Sequence, residues 1–139
     1  MVSIKVSKEI PSSLDAVWQV VSDVDNEPKY WRGTKSIKNI SRKENVVERE
    51  VVIAFKDSKC KETVILNPKR SVTVKITDGP MYGTKAIMLY PISSDSTRID
   101  VHWDIKLKGI MGIFTNMIRK HIAEGTNQAV ERISQELKE

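Results

Sequence analysis

Apolar and polar residues alternate from the start of the chain, with Val2, Ile4, Val6 and Ile10 interleaved with Ser3, Lys5, Ser7 and Glu9. A period of two marks a strand with one buried face, and Pro11 ends it. Ser12 or Ser13 can accept the free amide hydrogens of a helix start, and Leu14, Val17, Trp18 and Val21 follow at spacings of three and four. That spacing predicts a first helix with an apolar stripe. Asp23 and Asp25 can cap a second short helix running toward Tyr30 and Trp31, where Pro28 is tolerated because it lies in the first turns.

From Ser36 to Lys108 turn-forming residues recur at regular intervals: Lys43 to Asn45, Asp57 and Ser58, Asn67 to Arg70, Asp78 to Pro80, and Ser93 to Ser96. The runs between them predict six further strands. Hairpin geometry then assigns faces. A two-residue turn at Asp57 and Ser58 pairs Phe55 with Cys60, Ile53 with Glu62 and Val51 with Val64. A three-residue turn at Pro68 to Arg70 sets Leu66 opposite Val72 and Val64 opposite Val74. A four-residue loop at Ser93 to Ser96 puts Tyr90 opposite Ile99, Met88 opposite Val101 and Ala86 opposite Trp103. Lys85, Arg98, Asp100, His102, Asp104 and Lys106 then fall on the outer face.

The last segment changes period. Met111, Phe114, Ile118, Ile122, Ala129 and Ile133 fall within one helical stripe, with His121 and Gly125 on or beside it. At about 1.5 Å per residue, a helix from Phe114 to Leu137 spans roughly 35 Å, enough to cross the sheet of a small domain.

Composition narrows the class. The 139 residues, 40% hydrophobic and 29% charged, are expected to form one soluble domain over positions 1–139. No run reaches the roughly eighteen apolar residues of a membrane span, and the alternating opening does not read as a signal peptide. A cytoplasmic location is expected. Cys60 is the only cysteine, so no internal disulfide can form. The net charge of +5 is spread along the chain and interleaved with acids. With no stacking platform or helix-turn-helix pattern beside it, that charge reads as a solvated surface, and no nucleic-acid partner is expected.

Four stretches together resemble a known superfamily: IPSSLDAVWQVVSDVD at the end of strand one, the pair Tyr30 and Trp31, the hairpin YPISSDSTRIDVHW, and LKGIMGIF before the last helix. They cover almost the whole chain and are similar to the START-like, or SRPBCC, superfamily that includes polyketide cyclases and dehydrases. The resemblance implies a helix-grip α+β fold: a seven-stranded curved antiparallel sheet around a long C-terminal helix, with two short helices after strand one. It also implies a cavity between sheet and helix, in which members hold lipids, sterols, quinones, polyketides or plant hormones. A minority of members catalyse cyclisation or dehydration.

The expected lining of that cavity is Val51, Ile53, Val64, Val74, Met88, Tyr90 and Trp103 from the sheet. Trp31, Phe114, Met117, Ile118, His121 and Gly125 face it from the helices. Such a lining suits an apolar or amphipathic small molecule, the plain alternative being that these side chains simply meet and fill the space. Gly125 in mid-helix leaves room either for a ligand or for a closely packed strand. Arg49 and Glu62 are the polar residues placed on the inner face, and a charge there needs a partner, a ligand or a water. His121, Glu62 or Tyr90 is expected to orient the ligand.

Acid–base chemistry would fall to His121, Glu62, Tyr82 or Tyr90, but no nucleophile and base stand at a spacing that enforces their meeting. Binding or carriage is therefore the leading expectation, with a cyclase or dehydratase the alternative. No metal-ligand spacing and no cofactor motif are present. Ile110, Met111, Ile113 and Phe114, bracketed by Lys106, Lys108, Arg119 and Lys120, can form an apolar tip with a basic collar. Such a tip suits transient contact with an anionic membrane or simply folds over the cavity mouth.

Overall fold

The structure, a computed structural model, describes residues 1–138. Strand β1 (Val2–Ile10) leads into helix α1 (Leu14–Val21), a single 3-10 turn (Val24–Asn26) and helix α2 (Glu27–Tyr30). Six strands follow: β2 (Thr34–Lys43), β3 (Val46–Ile53), β4 (Lys59–Asn67), β5 (Ser71–Asp78), β6 (Met81–Ser93) and β7 (Ser96–Leu107). A one-turn helix α3 (Ile110–Ile113) precedes the long helix α4 (Thr115–Leu137). The strands form one seven-stranded antiparallel sheet in the order β1-β7-β6-β5-β4-β3-β2. Helix α4 lies against β1, β7 and the two small helices, the helix-grip arrangement expected from the sequence.

Local chemistry accounts for the helix starts. Ser13 caps α1 by accepting the amide hydrogen of Ala16 at 3.2 Å, satisfying a donor the helix itself cannot pair. The carboxylate of Asp23 does not cap the next helix; it accepts from the Asn26 side chain at 2.7 Å, inside the 3-10 turn. Pro28 sits in the first turn of α2, where its missing amide hydrogen is harmless.

The β4–β5 hairpin has the expected register, Leu66 opposite Val72 and Val64 opposite Val74. The β3–β4 hairpin differs. Lys56 and Asp57 both take positive φ, and the Ile53 amide donates to the Ser58 carbonyl at 2.8 Å, so residues 54–58 form a wider loop. Val51 therefore pairs with Cys60, Arg49 with Glu62 and Val47 with Val64. This moves the partner of Val51 by an even number of residues along β4, so the inner face is unchanged.

The β6–β7 hairpin is off by one residue, with the opposite effect. Ser93 pairs with Ser96 across a two-residue turn, next to a bulge at Pro91. Lys85 then opposes Trp103, Ile87 opposes Val101 and Leu89 opposes Ile99. Lys85, Ile87 and Leu89 point inward, while Ala86, Met88 and Tyr90 point outward, reversing the expectation for this strand.

Gly83 is the tightest point of the sheet. Its φ is +139°, and a Cβ there would sit 2.1 Å from the Asp104 carbonyl oxygen on β7. Gly83→Ala is expected to lower the unfolding free energy by about 2 kcal/mol or more, read from urea denaturation. An unchanged midpoint would show that β6 and β7 do not approach this closely.

Candidate functional site

The inner face of the sheet carries three ionisable side chains, and they gather round one carboxylate of α2; the remaining buried polar residue on that face, Thr97, donates to the Ser12 carbonyl at 2.9 Å. Arg49 in mid-β3 opposes Glu62 on β4, and its Nε and Nη2 both reach Glu62 Oε1, at 2.9 and 2.8 Å. Nη2 also donates to Glu27 Oε1 of α2 at 2.8 Å, and Nη1 donates to the Val24 carbonyl at 3.3 Å. Lys85 on β6 completes the group, its Nζ 3.9 Å from Glu27 Oε2. All four ionisable side chains are buried, Arg49 to 1% exposure.

Two tryptophans close over Lys85. Its ammonium lies 3.9 Å from the ring centre of Trp31 and 5.2 Å from that of Trp103. The two rings meet edge to face, 6.3 Å apart. Trp103 Nε1 donates to Thr126 Oγ1 at 3.0 Å, and Thr126 in turn donates to the Ile122 carbonyl at 2.7 Å, fixing the ring against α4. Cation–π contact of this kind is worth about 2 kcal/mol when desolvated.

Taking ions out of water costs several kcal/mol each unless partners compensate. For Arg49, burial works against the charge, but the carboxylates of Glu27 and Glu62 outweigh it and raise its pKa. Glu62 is also raised, because burial and the nearby Glu27 carboxylate together exceed the help from Arg49 and Lys85. A simple ion pair would lower the acid. Here one guanidinium serves two carboxylates and cannot replace the water lost by both.

Two groups in the cluster keep unused bonding capacity. Among the described residues Lys85 Nζ makes no hydrogen bond and Glu62 Oε2 accepts none, although an ammonium carries three donors and a carboxylate oxygen two lone pairs. The site thus offers a donor and an acceptor to an incoming polar group, beside two aromatic faces.

Of the expected lining, Trp31, Val51, Ile53, Glu62, Val64, Val74 and Ile118 are buried and Trp103 is half-buried against the same interior. Met88 and Tyr90 lie on the outer face, where Arg98 stacks on the Tyr90 ring at 4.5 Å. Phe114, Met117 and His121 are exposed. Helix α4 starts only at Thr115, and its buried side runs through Ile118, Thr126, Ala129, Val130 and Ile133. That rotation carries Met117 and His121 to the solvent side. Gly125 is half-buried, and a Cβ there would meet nothing within 4 Å, so no strand packs tightly against it.

Glu27 and Lys85 were not legible as site residues. Glu27 stands among polar neighbours in a short helix, and Lys85 carries no signal once the β6 face is misassigned. Other reactive groups are poorly placed. Burial, with Glu62 and Asp78 nearby, pushes the Cys60 thiol up to about 11, leaving little thiolate. On the outer face Ser3 and Asp104 both approach the same His102 nitrogen, at 3.4 and 3.3 Å, which is not the relay a nucleophilic serine needs. A surface cleft of about 480 Å³ between α2 and α4, lined by Tyr30, Arg32 and Arg132 among others, does not include the cluster. No metal-ligating group forms among the described residues.

Arg49→Met leaves two buried carboxylates with Lys85 as their remaining cation and without the guanidinium hydrogen bonds, and is expected to cost about 3–5 kcal/mol in urea unfolding. The raised Glu62 predicts a pH effect of definite sign. The folded state holds this proton more tightly than the unfolded chain, so the contribution is greatest below the ordinary carboxylate range and is lost as pH rises through the folded value. The stability of the native protein relative to Glu62→Gln should therefore fall as pH rises above the ordinary carboxylate value of 4.5, with pH steps of about one unit resolving the trend. A difference that stays flat or rises would place Glu62 in an ordinary environment.

No curated protein matches the chain. Among solved structures, the Zhui aromatase/cyclase from Streptomyces sp. R1128 superposes with a TM-score of 0.81 at 11% identity, covering 98% of this chain and 93% of that one. A START superfamily protein from Mycobacterium smegmatis gives 0.78 at 17%, covering 97% and 98%. Norcoclaurine synthase from Thalictrum flavum, solved with dopamine and hydroxybenzaldehyde, gives 0.71 at 19%, covering 97% and 84%. At these identities the likeness is one of fold. The family model described as polyketide cyclase / dehydrase and lipid transport matches residues 1–139, and the chain belongs to that family.

Proposed function

We propose that this protein binds a small amphipathic molecule between its sheet and α4, with the ligand's polar group on Lys85 and Glu62 and its apolar body against Trp31 and Trp103. The observation that carries this reading is the buried Lys85 ammonium, held by two aromatic faces and a 3.9 Å approach to Glu27, with no hydrogen bond among the described residues. Among the described residues every fully enclosed side-chain nitrogen or oxygen has a partner, so this ammonium reaches accessible space, where a ligand's carbonyl or hydroxyl can take the place of water. Because Glu27 and Glu62 already balance Arg49 and Lys85 in formal charge, the cluster favours an uncharged carbonyl or hydroxyl group over a second anion.

Family membership supports the class of activity, and the cytosolic location expected from the sequence is part of this reading. Among relatives of the fold, one is an aromatase/cyclase and another a synthase, so a reaction in the same cavity is the second reading. Glu62 favours it, since a carboxyl raised by burial keeps its proton longer and can act as a general acid.

Native mass spectrometry of protein purified from its own source should reveal a co-purifying small molecule. With that molecule in hand, Lys85→Met should weaken binding about tenfold or more, read from tryptophan fluorescence, because the polar head loses its donor. Glu27 keeps its 2.8 Å bond from Arg49 in this variant, so the fold should persist at some cost in stability, which a melting curve reads. Retained affinity in a folded Lys85→Met variant would remove Lys85 from the site. If the protein is an enzyme, Glu62→Gln should lose turnover while keeping affinity.

A further inference from the structure

Four of the nine large apolar side chains exposed among the described residues cluster where β7 passes into α4. Ile110 is 47% exposed, Ile113 77%, Phe114 45% and Met117 60%. Helix α3 holds them there: Met111 is buried beneath it at 3% exposure, and Gly109 turns the chain with φ +55°. The tip is therefore anchored on one side and apolar on the other, and none of these side chains is needed for the core.

Its charge is one-sided. No acidic residue occurs between Asp104 and Glu124, whereas Lys106, Lys108, Arg119 and Lys120 all lie exposed in that interval. The β3–β4 loop and the β5–β6 turn reach the same end of the sheet, as the registers require, and the Lys108 amide donates to the Pro80 carbonyl at 2.8 Å. The acids there are offset: Asp57 is paired with Lys35, and Asp78 stands opposite Lys61.

We infer that the α3–α4 tip docks on an anionic lipid surface, Ile110, Ile113, Phe114 and Met117 entering the headgroup boundary while the four cations contact acidic headgroups. An apolar face with a basic collar matches that partner in both terms. The tip also lies at the end of β6 and β7 toward which the buried cluster is offset. Lys85 and Trp103 lie four residues along the ladder from Met81 and Leu107, roughly 14 Å at about 3.4 Å per residue. A ligand with its polar head on Lys85 would extend toward this end, so the inference rests on the proposed interior site and names the bilayer as the place where that site is filled or emptied.

The test is flotation of the purified protein with phosphatidylcholine vesicles and with vesicles carrying about one quarter phosphatidylserine, a composition typical of anionic leaflets. Binding is expected only to the anionic vesicles and should fall steeply in about 1 M salt, where the screening length is near 3 Å. Ile110→Ser with Ile113→Ser, both on exposed side chains, should reduce it more than tenfold with an unchanged melting curve. Lys108→Glu should reduce it about fivefold or more. Equal binding to both vesicle types, or binding to neither, overturns the inference. So does a concentration-dependent dimer that the double serine variant dissociates, since the tip would then cover a second copy. The interior reading fails separately: Lys85→Met tests it in the absence of lipid, and that variant should still float.

Discussion

One guanidinium organises the interior. Arg49 ties β3 to two other segments, to β4 through Glu62 and to α2 and the turn before it through Glu27 and the Val24 carbonyl. Helix α2 is only four residues long and could not hold its place by its own hydrogen bonds. Its docking rests on this ion pair, on buried Tyr30 and on Arg132 of α4, which donates to the Tyr30 carbonyl at 2.9 Å. Where α2 is held, Trp31 is held, and with it the aromatic face over Lys85. The geometry of the site follows from the satisfaction of one buried cation.

That arrangement is not what stability alone would select. Apolar residues of similar volume in place of a buried ion cluster are often neutral or stabilising, while loss of one partner is costly. The interior of a small sheet and helix could be filled with valine and isoleucine, as it is around Val47, Val72 and Ile99. Polarity is instead concentrated at one place, beside two tryptophans and an α4 position, Gly125, that leaves space open. A polar interior of this kind suits the proposed ligand, which has both apolar and hydrogen-bonding parts.

Much of the fold was legible because pattern and turn chemistry agreed. The strands could be read from the turn residues that recur between them, the closing helix from its stripe, and the β4–β5 register because apolar residues alternate cleanly there and Leu66, Val64, Val72 and Val74 leave one consistent pairing. In β6 the run Ala86, Ile87, Met88, Leu89 and Tyr90 is apolar on both faces, so periodicity gave no phase and the turn length decided it wrongly. One residue of slip hid Lys85 and promoted Tyr90. Arg49 and Glu62 were recognised because the faces of β3 and β4 survive an even error in the hairpin. Glu27 was invisible for a different reason: its burial is produced by the docking of α2, a tertiary event with no local trace.

The surface inverts the usual distribution as plainly as the interior does. Charges lie inside against Trp31 and Trp103, while isoleucine, phenylalanine and methionine stand in solvent at the α3–α4 tip. Single exposed apolar residues need no explanation, but four in one short segment, ringed by cations and free of acids, form a patch with its own chemistry. The two inversions are aligned along the same strands, since the ladder from Lys85 and Trp103 runs down to Met81 and Leu107 beside that tip. An amphipathic molecule moving between them would keep its polar head toward the buried cluster and its apolar end toward the tip throughout. The proposed interior site and the proposed docking tip thus ask for the same kind of molecule.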